Sequence, residues 1–282
     1  MKNILLPFQD DDVAEAAFVT AHMVADRLKG HIEGLFVLPQ PQIIAGEGIA
    51  LPGVYLTQMA EDGKKLAFAA KTRFESSLSQ FNFQSKEDLY KTPNCSASWH
   101  EVEGLESQII GERGRLFDLI VIARTTKYYA GDWNVICEAA LFESGRPVLV
   151  ASDKKALAFG GKIVIAWNSS TESARTVAAG MPFLLAAEEV VILDTPAASV
   201  PGPRGKELAQ NLRRHGIYAH VEIIADVTGD AAGTAILEYT TRSGADLLLK
   251  CAYTHTRLRQ LVFGGVTRHV LAHSSIPILM AH

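Results

Sequence analysis

The polar residues with the clearest chemical potential gather in the second half of the chain. Asn168, Ser169 and Ser170 follow an apolar run over 163–167, and Asp194 and Thr195 close a second apolar run that begins at Val190. A third group starts at Cys251, continues through Thr254, His255, Thr256 and Arg257, and ends at Gly264, Gly265, Val266 and Thr267. Each group sits where a strand gives way to a loop and then to a helix. Hydroxyl, amide and guanidinium groups there can donate to an anion, glycines let backbone N–H groups approach it closely, and the helix adds its positive end. Ser169 or Ser170 also has the chemistry of a helix N-cap.

Other reactive side chains support less. Asp10, Asp11 and Asp12 form a carboxylate run that hard cations favour, but they open a helix, where acidic groups meet the dipole favourably. His269 and His273 share a helix face at i, i+4 spacing, enough for an adventitious metal but without the context of a zinc motif. No G-x-S-x-G elbow and no G-x-x-x-x-G-K-[ST] loop occurs, and no catalytic residue is assigned. Cys251, at a strand end before a helix, is the one thiol placed for a lowered pKa.

Bulk properties narrow the class. The chain has 282 residues, 48% hydrophobic and 21% charged, with a net charge of −4. That supports two domains of about 140 residues each. The charge gives no reason to expect nucleic acid or an anionic membrane as partner. Three separated cysteines argue against a disulfide scaffold and for a reducing compartment. No apolar run approaches the roughly 20 residues that span a bilayer. A cytoplasmic protein is expected.

The elements that must position these groups form a repeat. The run 4–9 (ILLPFQ) aligns with 163–168 (IVIAWN), and each is followed by an Ala-rich amphipathic segment, about 11–29 and 170–184. The strand-like 32–38 aligns with 190–194, 118–123 (DLIVIA) with 246–251 (DLLLKC), and 146–151 (RPVLVA) with 276–281 (IPILMA). Pro147 and Pro277 are expected at strand starts, where a missing N–H costs no ladder bond. The spacing predicts an α/β fold of two tandem doubly wound domains, 1–152 and 161–282. Each has a five-stranded parallel sheet, order 3-2-1-4-5, flanked by helices. The first domain carries an inserted segment, about 39–71, leading into a long helix over 55–81. In such sheets ligands bind beyond the C-terminal strand ends, between strands 1 and 4.

With its frame of Cys251, Thr254, nine residues and Gly264, the second half resembles the universal stress protein (UspA-like) family, and the resemblance extends over both halves. Nucleotide-binding members carry G-x-x-G, nine residues, then G-S or G-T. Here Cys251 and Thr254 stand where the family has glycines, Gly264 is retained, Gly265 replaces the hydroxyl residue, and Asn168 stands where ATP-binding members have Asp. In the first half the corresponding stretch, 124–133, has one glycine out of frame, and Gln9 replaces the acidic residue. The resemblance implies the adenine nucleotide alpha-hydrolase-like fold and pairing of the two domains through their last strands, with a homodimer of whole chains as a further expectation. It also implies a non-catalytic protein of stress physiology that acts by ligand or partner binding. Two alternatives stay open. One is an ATP- or AMP-binding protein with slow hydrolysis in the C-terminal domain. The other is a binder of an apolar small molecule under the insert, where Ile43, Ile44, Ile49, Leu51, Val54 and Tyr55 cluster.

Overall fold

The computed structural model describes residues 1–11, 13–39, 53–81, 95–124, 133–224, 227–252 and 265–282. In the first half β1 (Asn3–Pro7), α1 (Ala14–Leu28), β2 (His31–Pro39), α2 (Gly53–Gln80) and β3 (Ser96–Gly104) are followed by α3 (Glu106–Gly114), β4 (Leu119–Ile122), α4 (Trp133–Glu143) and β5 (Val148–Val150). The second half repeats the order with β6 (Lys162–Trp167), α5 (Thr171–Leu184), β7 (Glu189–Asp194), α6 (Gly205–Arg213), β8 (Ala219–Ile223), α7 (Gly229–Ser243), β9 (Leu247–Lys250), α8 (Gly265–His273) and β10 (Ile278–Met280).

The strands form one ten-stranded sheet, ordered β3-β2-β1-β4-β5-β10-β9-β6-β7-β8. Each half is therefore a parallel 3-2-1-4-5 sheet, as the sequence pattern predicts. The halves meet where β5 and β10 run antiparallel, with Leu149 opposite Leu279, Val150 opposite Ile278 and Val148 opposite Met280. All six residues are essentially without solvent exposure. The final strands begin one residue after Pro147 and Pro277. Those prolines contribute only carbonyls, which accept from Ile120 N–H (3.1 Å) and Leu248 N–H (3.0 Å).

Alternation along the strands builds two apolar layers, one on each face. Ile4, Leu6, Ile163, Ile165, Leu247 and Leu249 face α1, α2, α5 and α6, whereas Leu5, Ile120, Val164, Ala166, Leu248 and Ile278 face α3, α4, α7 and α8. Both layers cross the seam without interruption. Further links reinforce it: Arg27 donates to the carbonyls of Phe159 (2.9 Å) and Ala186, and Phe159 in the linker meets Phe183 edge-on at 5.3 Å.

One repeated residue shows why the two sheets share a register. The Asp118 carboxylate accepts from the backbone N–H groups of Lys2 (2.6 Å) and Asn3 (3.0 Å), tying the start of β4 to the start of β1. Asp246 does the same for Gly161 (3.0 Å) and Lys162 (3.2 Å), at the starts of β9 and β6.

The inserted segment divides. Its later part belongs to α2, which spans Gly53–Gln80 as one helix. Phe74 on α2 packs edge-on against Phe8 and Phe18, with ring centroids 5.4 and 5.5 Å apart, and lies 5.1 Å from Trp99. Gly34 on β2 admits this ring, because a Cβ there would lie 2.7 Å from Phe74. Ile43, Ile44, Ile49 and Leu51, and the side chains of Val54 and Tyr55, lie outside the described residues. Among those described, no helix is long and apolar enough to cross a membrane.

Candidate functional site

The C-terminal ends of β6, β7 and β9 and the first turns of α7 and α8 enclose a cavity of about 300 Å³. It lies between the first and fourth strands of the second half, at the switch point of the winding. Its strand-end side is formed by Ala166, Asn168 and Lys250, and the short turn after β7 adds Thr195, Ala197, Ala198 and Ser199. On the helix side, Gly229, Ala232 and Ile236 come from α7 and Gly265, Val266 and Thr267 from α8. Five residues predicted from sequence thus reach the cavity: Asn168, Thr195, Gly265, Val266 and Thr267.

Asn168 is the most heavily bonded of them. Its Oδ1 accepts from Ser170 N–H (3.3 Å), Ser170 Oγ (2.8 Å) and Ser173 Oγ. Ser170 is the N-cap of α5, its Oγ accepting from Ser173 N–H (3.1 Å). Ser169 takes a left-handed backbone (φ 67°), rare outside glycine, and donates its hydroxyl to Pro203 O (2.8 Å). Ser169 shapes the turn and Ser170 holds Asn168, and neither lines the cavity.

Two further predicted residues are engaged elsewhere. The Asp194 carboxylate is buried, pairs with Arg204 and accepts from Gly205 N–H (2.9 Å), which fixes the start of α6. Cys251 is 1% exposed, and its thiol accepts from Lys250. Thr254, His255, Thr256, Arg257 and Gly264 lie outside the described residues.

Sequence reasoning missed Lys250 as a site residue. It ends the strand L-L-L-K and is 6% exposed, and its ammonium donates to Cys251 O (3.1 Å) and Cys251 Sγ (3.4 Å). A lysine inside an otherwise apolar central strand was the available signal, since buried lysines are rare unless paired. The short turn 196–198 gave none, because its alanines carry no chemical mark.

At the equivalent strand ends of the first half, the described side chains bond to the backbone and to one another. Trp133, the first residue of α4, donates its indole N–H to Ala123 O (2.7 Å) at the end of β4. Gln9 Nε2 donates to Glu106 Oε1 (3.0 Å) at the start of α3. Burial pushes the Glu106 carboxyl above the usual carboxylate range; the Gln9 hydrogen bond pulls it down and nearby Asp11 pushes it up further. Arg124, at the start of this half's loop, crosses the seam, and Lys127, the other basic residue of that loop, lies outside the described residues. Arg124 is buried and donates to Leu271 O in α8 (2.9 Å) and to Asp153 (3.0 Å).

The acidic run and the histidine pair have local partners. Asp11 Oδ1 accepts from Val13 N–H (3.0 Å) just before α1, and Asp10 pairs with Arg73 on α2; Asp12 lies outside the described residues. The rings of His269 and His273 stack at 4.4 Å. His269 Nε2 meets Thr234 Oγ1 (3.0 Å), and His273 Nδ1 meets His269 O (2.8 Å).

Comparison with known proteins supports the fold. Residues 161–282 match the model of the universal stress protein family. Over 303 aligned positions the chain is 25% identical to universal stress protein Slr1230 of Synechocystis sp. (strain ATCC 27184 / PCC 6803 / Kazusa), covering 99% of each chain. Among solved structures it is similar to a universal stress protein from Archaeoglobus fulgidus DSM 4304, at TM-score 0.67 and 15% identity, over 99% of this chain and 95% of that one. It also resembles a functionally unknown protein of Pseudomonas aeruginosa PAO1, at TM-score 0.56 and 16% identity, over 100% and 92%. Residues 161–282 therefore carry a universal stress protein family domain, in a chain whose whole length shares its fold with a solved universal stress protein.

Proposed function

We propose that the whole chain is a tandem universal stress protein, with domains at 1–152 and 161–282, that acts in the cytoplasm by binding a small ligand rather than by catalysis. The cavity at the strand ends of the second half carries this reading. It is concave and combines an apolar wall of four alanines, Ile236 and Val266 with five convergent polar side chains, which suits a small-molecule site. The first half contributes the paired sheet and the seam. Further pairing of whole chains into a homodimer is part of the same proposal and is measured by sedimentation.

Adenine nucleotide is the first ligand class to test, because the spacing of Cys251, Thr254 and Gly264 keeps the family's frame. AMP suits the cavity better than ATP, since about 300 Å³ is at the small end of ligand sites. Mass spectrometry of the supernatant from denatured, purified protein identifies what it carries. Calorimetric titration with AMP and ATP then gives affinity. A released small molecule, or AMP binding below about 100 μM, is the expected result. No released ligand and no heat with either nucleotide would overturn the reading.

A further inference from the structure

We infer that Lys250 makes the second-half cavity a site for a small phosphorylated ligand, held by its ammonium rather than by the glycine loop. This rests on the cavity being the ligand site proposed above. Lys250 is the one charged residue among the described cavity-lining residues, and it is 6% exposed. Its ammonium has three N–H donors; one meets Cys251 O, one meets the weakly accepting Sγ, and the third has no described acceptor. No described carboxylate pairs with it. An ammonium buried this deeply is costly unless an opposite charge pairs with it, and a ligand phosphoryl group would supply that charge.

The surroundings favour the same sign of ligand. The first turns of α7 and α8 both line the cavity through Gly229, Gly265 and Thr267, and Thr228, the N-cap of α7, makes no side-chain cap bond. Two positive helix ends thus converge on the space beside the ammonium. Asp230 is the counterweight. Its Oδ1 lies 2.8 Å from where a Cβ on Gly265 would sit, so a carboxylate of the protein stands at the start of α8. A phosphoryl group is therefore drawn toward Lys250 at the floor, with the apolar remainder of the ligand toward Ala198 and Ile236.

The test uses the full chain and inorganic phosphate as probe, read by thermal unfolding and calorimetry, with adenosine as an uncharged control. Phosphate should raise the melting temperature of the native chain by about 3 °C at saturation. In Lys250→Met, which keeps the buried volume and removes the charge, that rise should vanish and phosphate affinity should fall at least tenfold. Adenosine should bind both proteins alike. Asp230→Asn, on an exposed side chain, should strengthen phosphate binding about threefold, and this arm stays informative if Lys250→Met folds poorly. Equal phosphate binding by the native chain and Lys250→Met, or no effect of phosphate on either, overturns the role of Lys250. AMP or a co-purified ligand that still binds in that case leaves the ligand-binding reading standing; loss of both removes it.

Discussion

Glu106 and Lys250 occupy corresponding crevices and bring opposite charge to them. In the first half the acid is locked by Gln9 and would repel an anion; in the second the cation faces a cavity. The raised Glu106 carboxyl has a consequence for stability. The folded state prefers the protonated form, so its contribution is fully present below the unfolded carboxyl pKa and is lost as pH rises through the raised folded value. Glu106→Gln, which keeps an acceptor for Gln9, should stabilise the chain by about 1 kcal/mol at pH 7.5, and the gain should disappear near pH 4. Urea unfolding at the two pH values checks this; an equal difference at both would show that the shift is unimportant. Cys251 is expected to react with a thiol-specific reagent far more slowly in native than in unfolded protein, because it is 1% exposed.

The aspartates at the starts of β4 and β9 tie first and fourth strands together in both halves. Burial alone would push the Asp118 carboxyl up, but the N–H groups of Lys2 and Asn3 hold it below the usual range. Stability from such a group is present above the unfolded pKa and lost as pH falls through the folded one. Asp118→Asn should therefore cost about 1–2 kcal/mol at neutral pH and little near pH 2, by urea or thermal unfolding. These elements were the legible part of the sequence. Short continuous apolar runs, the repeated Asp and the repeated Pro marked strands and register, because parallel strands are buried on both faces and the Asp and Pro sit where backbone bonding must be satisfied. The site was less legible. Asn168, Thr195 and Thr267 follow from their place at element ends, but Lys250 reads as one more strand residue until burial is known. The Trp133 bond to Ala123 in the first half is one that no local pattern encodes. The inserted segment announced its helix through period and length, while what Phe74 packs against depends on Gly34, far away in the chain.

At the scale of the molecule, the two halves are one sheet. Leu149 and Leu279 face each other across the antiparallel seam, both with 0% exposure, and the apolar layers run through it on both faces. Leu279→Asp should destabilise the chain by about 3–5 kcal/mol, since it buries an unpaired charge, and should lower the stability of both halves in a single transition. Two separated unfolding steps, with the first half unaffected, would show that the seam does not couple them. Joined this way, the halves differ at the described strand ends: Trp133 and the Gln9–Glu106 pair stand at one, and a cavity opens at the other. The most direct test of that asymmetry is ligand stoichiometry by native mass spectrometry of the intact chain titrated with AMP. One AMP per chain is expected, with binding abolished in Ala198→Trp, which places a ring at the second-half cavity. Two bound molecules per chain, none, or full binding by Ala198→Trp would contradict a single ligand site in the second half.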